Sequence, residues 1–184
     1  MNAKQPNTPG TLFEPDPWLA QTHEVLNQPP ALENYNLFLQ DKALQEAVER
    51  EGASWARQEL EAFGKLAGLR ETIELGFLAN DNKPSFHTHD RFGHRIDEVR
   101  FHPAYHELMR LAMEHGLHSS PWQQPGEGAH VARAAKYYLH TQVEAAHGCP
   151  VTMTFAAMPS IMKQPELAEL WAPKILHRDY DPSN

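Results

Sequence analysis

From Asn36 onward, apolar side chains recur at third and fourth positions, the period of a helix with one buried face, and residues 80–100 change that rhythm. The chain therefore reads as a set of amphipathic helices with one short β element. Asp41 is placed to cap a helix in which Leu44, Ala47, Val48 and Glu51 share one side, with Gly52 as its stop. Ser54 can cap the next, with Trp55, Leu60, Phe63 and Leu66 inward. Gly64 and Gly68 weaken that segment and blur its bend toward residues 69–79.

After a loop at Asn82, Lys83 and Pro84, Phe86-His87-Thr88-His89 and Arg95-Ile96-Asp97-Glu98-Val99 flank Asp90-Arg91-Phe92-Gly93. This predicts a hairpin over about 85–100, with Gly93 supplying the positive φ that such turns use. Pro103 suits the first turn of a helix running to Gly116, with Tyr105, Leu108, Met109 and Ala112 on its apolar stripe. Residues 119–128 read as a loop. The strongest helix covers about 129–147. It sets Val131, Ala135, Tyr138, Leu139, Gln142, Val143 and Ala146 on one side, and Arg133, Lys136, His140 and Glu144 on the other. Gly148 ends it, and Pro150 starts a mostly apolar helix interrupted near Pro159. Pro165 begins the last, with Leu167, Leu170, Trp171 and Ile175 inward. The fold class is mainly α with one small hairpin.

Residues 1–33 read differently. Pro6, Pro9, Pro15, Pro17, Pro29 and Pro30 each lack an amide donor and push the preceding residue out of helix. Leu12, Phe13, Trp18 and Leu19 are nevertheless large and apolar, so an extended arm that lies on its own domain or on a neighbouring subunit is expected; a loose leader is the plainer alternative. The domain proper is then 34–184. Hydrophobic residues at 41% and charged ones at 22% are enough for a buried core. A net charge of -8 argues against a broad phosphate-binding face for nucleic acid. The single cysteine, Cys149, permits no internal disulfide and suits a reducing cytoplasm. No secretory signal is visible, and the longest run of low polarity, residues 151–158, is too short to span a membrane.

The local motifs carry little chemistry. His102 and His106 are four apart, and His87, His89 and His94 cluster on the hairpin. Zinc needs three or four converging ligands, however, and Arg110 stands where a zincin helix would carry its second histidine. Surface and capping roles are the default, and no metal is expected. Gly126-Glu127-Gly128 before a helix lacks the third glycine of a dinucleotide loop, since Val131 stands there. There is no nucleophile elbow and no lysine-bearing phosphate loop. Cys149 at a helix start is either a thiol under a helix dipole or, more simply, a small packing residue. In Cys149-Pro150-Val151-Thr152-Met153-Thr154-Phe155-Ala156-Ala157, two threonine hydroxyls lie in an apolar helix. Small neighbours could leave room for an apolar ligand, or the hydroxyls could bond back to the preceding turn of a close-packed core.

Longer blocks carry a resemblance. Thr22-His23-Glu24-Val25-Leu26-Asn27-Gln28-Pro29, then Leu32, Asn34, Asn36 and Leu37, lead into Glu46-Ala47-Val48 and Arg50-Glu51-Gly52-Ala53 with Trp55. Glu74-Leu75-Gly76 with Leu78-Ala79-Asn80 follows, and then Val99-Arg100-Phe101-His102-Pro103-Ala104. Val131-Ala132-Arg133-Ala134-Ala135, Gln142-Val143-Glu144-Ala145 and the Cys149 to Ala157 run complete the set. Together these resemble the N-terminal region of the AidB-like family of acyl-CoA dehydrogenases, flavoproteins associated with the response to DNA alkylation.

The resemblance implies an N-terminal helical domain, followed in the family by a β domain and a second helical domain that hold FAD between them. Those two domains, the catalytic carboxylate region and the basic region linked to DNA are expected to lie outside this chain. No catalytic, FAD-binding or DNA-contacting residue is therefore carried over, and the chain alone is expected to hold no FAD and to be inactive. Only Thr152, Met153, Thr154 and Phe155 have a positional claim, as candidates for the wall of the acyl cavity. Leu12, Phe13, Trp18 and Leu19 are candidates for contacts in a homo-oligomer, a tetramer in the family. The expected partners are the remainder of the flavoprotein and, in the parent, an acyl-CoA, with DNA met only elsewhere and no membrane. A stand-alone helical interaction module derived from that domain is the alternative, and a histidine-rich metal-binding module a weaker third.

Overall fold

The computed structural model describes residues 27–183, and the unit from Glu33 onward carries every helix and strand named below. Leu12, Phe13, Trp18 and Leu19, with most of the expected arm, lie outside the described residues. Helix α1 (Leu37–Gln40) starts at Asn36, whose side chain accepts from the amides of Phe38 and Leu39. The same side chain donates to the Glu61 carbonyl at 2.9 Å, tying the cap to the next long helix. Helix α2 (Lys42–Arg50) is capped as expected by Asp41, which accepts from the Leu44 amide at 2.8 Å.

A 3-10 turn (Ser54–Ala56) leads into α3 (Arg57–Ala67). Ser54 makes no capping bond, and Trp55 does not enter the core. The turn brings Ala53 and Ala56 inside instead, leaving Trp55 59% exposed with its indole N–H donating to the Glu127 carbonyl at 3.0 Å. Gly64, which costs α3 helix propensity, is where α1 crosses it. A methyl group there would lie 2.6 Å from Asn36 Oδ1 and 2.7 Å from the Phe38 nitrogen.

Helices α4 (Arg70–Asp81) and α5 (Pro103–Glu114) pack together and are joined by the expected hairpin, β1 (Ser85–His89) and β2 (Arg95–Arg100). The strands are antiparallel, with Phe86 opposite Val99 and a one-residue slip between His87 and His89. Gly93 sits in its turn at φ 87°, and Asp90 closes it by accepting from the amides of Phe92 and His94. The region expected to be loop, residues 119–128, contains one helical turn, α6 (Ser120–Gln123).

Helix α7 (Ala129–Thr141) stops six residues short of the expected end, and its buried side differs from the one that bulk suggests. Ala129, Ala132, Ala135 and Leu139 go inward and take Lys136 and His140 with them, while Tyr138 is half exposed. Helix α8 (Gly148–Ile161) runs through Pro159 rather than breaking there, and α9 (Pro165–Ile175) buries none of its residues. The core lies where α1, α3, α5 and α7 meet, around Phe38, Leu60, Phe63, Leu108 and Leu139. Each such side chain contributes about 1.5–3 kcal/mol by leaving water.

Candidate functional site

Helix α8 is built almost wholly of apolar and small residues, yet only Gly148, Val151 and Met158 are buried. Its four candidate residues divide between its two faces. Met153 stands 67% exposed, one turn from Cys149, whose thiol approaches the Met153 sulfur at 3.9 Å. Cys149 is thus exposed, not the packing residue expected, because the helix turns that edge outward. The Thr154 hydroxyl donates back to the Pro150 carbonyl at 2.8 Å, the local bond that satisfies a helical hydroxyl without a ligand. Thr152 and Phe155 face the domain. Phe155 stacks on Trp122 with ring centroids 5.0 Å apart, and the Arg133 guanidinium lies 4.2 Å from its centroid. Arg133 reaches the Thr152 hydroxyl only at 3.5 Å, while donating firmly from Nε to the Leu117 carbonyl at 2.7 Å.

Two devices fix where α8 runs. The first explains its passage through Pro159. Proline has no N–H to donate to the carbonyl four residues earlier, that of Phe155. The Trp122 indole N–H donates to that oxygen at 3.0 Å, so the helix continues with its orphan acceptor satisfied. The second lies in the turn before α8. Glu144 accepts from the Ala146 amide at 2.7 Å, from the His147 amide at 2.9 Å and from His147 Nδ1 at 2.6 Å. This carboxylate makes Nδ1 the protonated nitrogen of His147. The His147 ring meets that of His140 edge-on at 4.5 Å, and His140 Nε2–H donates to the Leu108 carbonyl at 3.2 Å. Burial, with His147 adding to it, pushes His140 down to about 3; burial also lowers His147, although Glu144 opposes it. Glu144 itself lies below the usual carboxylate range, because its bonds to His147 and Ala146 together outweigh the opposing effect of burial. Beside them, Lys136 donates to Glu59 Oε1 at 2.7 Å and to the His115 carbonyl at 2.8 Å.

Helix α9 packs on α8, and Leu167, Leu170 and Trp171, expected inward, are exposed. Leu167, Leu170 and Trp171, three and four apart, make an exposed apolar face on α9, and Met153 on α8 is exposed as well. The face offers contact and exclusion of water but no general base or nucleophile–base pair. The histidines do not converge either. His102 accepts from the Ala104 amide as a helix cap, His106 bonds the Tyr180 hydroxyl at 2.8 Å, and His94 pairs with Asp90. Among the described residues no group of three metal-ligating side chains comes together, and no helix is long and apolar enough to cross a membrane.

Sequence reasoning missed Trp122, Arg133 and Glu144 as the groups that hold α8. Pro159 was the available signal, since a proline inside an apolar helix requires a donor from elsewhere.

Comparison with known proteins gives this architecture relatives. Residues 27–182 match the family of the adaptive response protein AidB N-terminal domain. The chain is 47% identical over 163 residues to the putative acyl-CoA dehydrogenase AidB of Escherichia coli (strain K12), covering 88% of this chain and 30% of that protein. Among solved structures, the apo-form of Bd2924 aligns with a TM-score of 0.74 at 24% identity, over 82% of this chain and 31% of that one. The Caenorhabditis elegans protein ACDH-11, solved in complex with C11-CoA, aligns with a TM-score of 0.73 at 19% identity, over 91% of this chain and 30% of that one.

Proposed function

Because this chain belongs to the AidB N-terminal domain family, we propose that it is the N-terminal helical domain of an acyl-CoA dehydrogenase-type flavoprotein and supplies one wall of that protein's acyl cavity. The chain spans 30% of the length of its E. coli relative, so the remaining walls, a β domain and a second helical domain, belong to the rest of such a protein. One observation supports the reading: Met153 on α8 and Leu167, Leu170 and Trp171 on α9 are left exposed among the described residues. Met153 is the residue on that face that meets the cavity. Thr152, Thr154 and Phe155 act by holding the helix that carries it.

The same face tests the fit of FAD. Its exposed apolar groups are thioether, aliphatic and indole, with Lys174 5.2 Å over the Trp171 ring, and a single ammonium is no array of donors suited to a pyrophosphate. It fits an acyl chain and not the cofactor, so no FAD contact is assigned here and no step is routed through the flavin. In the parent, FAD would accept hydride from the acyl thioester, and this domain would keep water from the reacting carbon. Leu12, Phe13, Trp18 and Leu19 belong to the proposed homo-oligomer contact, a cytoplasmic tetramer in the parent. Protection of DNA would fall to a basic region elsewhere.

The decisive experiment places Met153→Trp in the flavoprotein that carries this domain and measures kcat/KM against a series of acyl-CoA chain lengths. Flavin content should be unchanged, with the profile shifted toward shorter chains. An unchanged profile would remove α8 from the cavity. The second reading, a stand-alone interaction module, rests on the same open face. It requires the isolated chain to bind a protein partner through Met153, Leu170 and Trp171 with no flavin involved.

A further inference from the structure

A cavity of about 220 Å3 lies among α3, α6, α7 and the segment after α9; Trp55, Ser120, Gln124, Lys136 and Arg178 line it with Glu59. Its charge runs against the rest of the molecule. The chain carries a net -8, yet two cations and one carboxylate meet here. The arginines Arg50, Arg57, Arg70, Arg95, Arg100 and Arg110 each pair with a carboxylate. Arg133 and Arg91 lie over aromatic rings. Arg178 does neither among the described residues.

Arg178 is also held in place. Its Nε donates to Gln123 Oε1 at 3.0 Å, and Gln123 accepts from the Ser119 hydroxyl and donates to the Leu176 carbonyl. The guanidinium rests against Gly116. That bracing consumes Nε and leaves the terminal N–H groups without an acceptor among the described residues. Lys136 is 2% exposed and spends two of its donors on Glu59 and the His115 carbonyl. Trp55 is pinned across the rim by its bond to Glu127, so the ring is fixed before anything binds.

We propose that this cavity is a binding site for a small phosphate-bearing anion, held chiefly by Arg178 with Lys136, Ser120 and Gln124 and walled by Trp55. The donors come from separate segments, the α6 region, α7 and the chain after α9, which suits the several terminal oxygens of a tetrahedral phosphoryl group. A carboxylate would be satisfied by the guanidinium fork alone. The bracing by Gln123 fixes the guanidinium in advance and lowers the ordering cost of binding.

The test titrates inorganic phosphate into the whole chain by calorimetry at constant ionic strength, with chloride and acetate as references. Saturable binding is expected, with acetate weaker by about tenfold or more, and with Arg178→Gln weakening phosphate by about tenfold or more at an unchanged melting temperature. Ser120→Ala is the milder second variant and should weaken binding by a smaller factor. The proposal falls if phosphate gives no more heat than chloride, if acetate binds as well, or if phosphate binds Arg178→Gln and the parent chain alike.

Discussion

Helix α7 and the α8–α9 pair are opposites. The first buries the charged and polar groups Lys136 and His140, with Glu144 just beyond its end; the second exposes Met153, Leu170 and Trp171. Both arrangements cost free energy in isolation, but among the described residues only the first is compensated. Lys136 finds Glu59 and the His115 carbonyl, Glu144 finds His147 and two amides, and His140 finds the Leu108 carbonyl. The apolar face finds nothing equivalent among the described residues. The first pattern is that of a scaffold; the second is what the proposed role at a cavity wall requires.

Four measurements test that contrast. The largest effect is expected at Glu144→Ala, which strips the acceptor from the buried amide and ring of His147 and from the part-buried Ala146 amide. Unfolding in urea should show a loss of about 2–4 kcal/mol. Acid comes next. His140 has its pKa near 3 when folded against an ordinary 6.5, so between those values the unfolded chain binds the extra proton. Stability is then complete above about pH 6.5 and declines below it. His140 alone should cost about 2 kcal/mol at pH 5, and His118, His115 and His147, lowered by burial as well, add in the same direction. His140→Asn should flatten that slope when melting is followed against pH.

Trp122→Phe should cost about 1 kcal/mol by removing the donor to the Phe155 carbonyl while keeping most of the ring contact. The near-UV circular dichroism of α8's aromatic neighbours should change with it. The smallest effect belongs to the open face. Leu170→Ser with Trp171→Ser should alter unfolding stability by no more than about 0.5 kcal/mol, while binding of an apolar fluorescent dye drops. A large loss of stability from this pair would mean that the face is part of the scaffold after all.

Features with a short-range cause were legible in the sequence. Asp41 capping α2, the Asp90–Gly93 turn and Pro103 opening α5 each depend on a few neighbouring residues, and the structure has all three. The α7 face was not legible, because alanines at 129, 132 and 135 give a weak hydropathy signal, and what buries them is the approach of α3. Trp55 was misplaced for a related reason: a 3-10 turn changes which residue points inward. For α9 the pattern itself was read correctly as apolar on one side. What failed was the side turned inward: Ala168, Ala172 and Ile175 are partly buried, while Leu167, Leu170 and Trp171 are exposed. Of the candidate site, the run Thr152 to Phe155 was visible, but the split between Met153 outward and Phe155 inward depends on Trp122 and Arg133.

The indole bond to Phe155 has a consequence for how such a protein could be altered. A helix that completes its backbone with a hydrogen from another segment takes part of its course from that segment. Residue 122 therefore acts as a remote adjusting screw: exchanging it would bend α8 at its proline and shift Met153 without changing any atom of α8 itself.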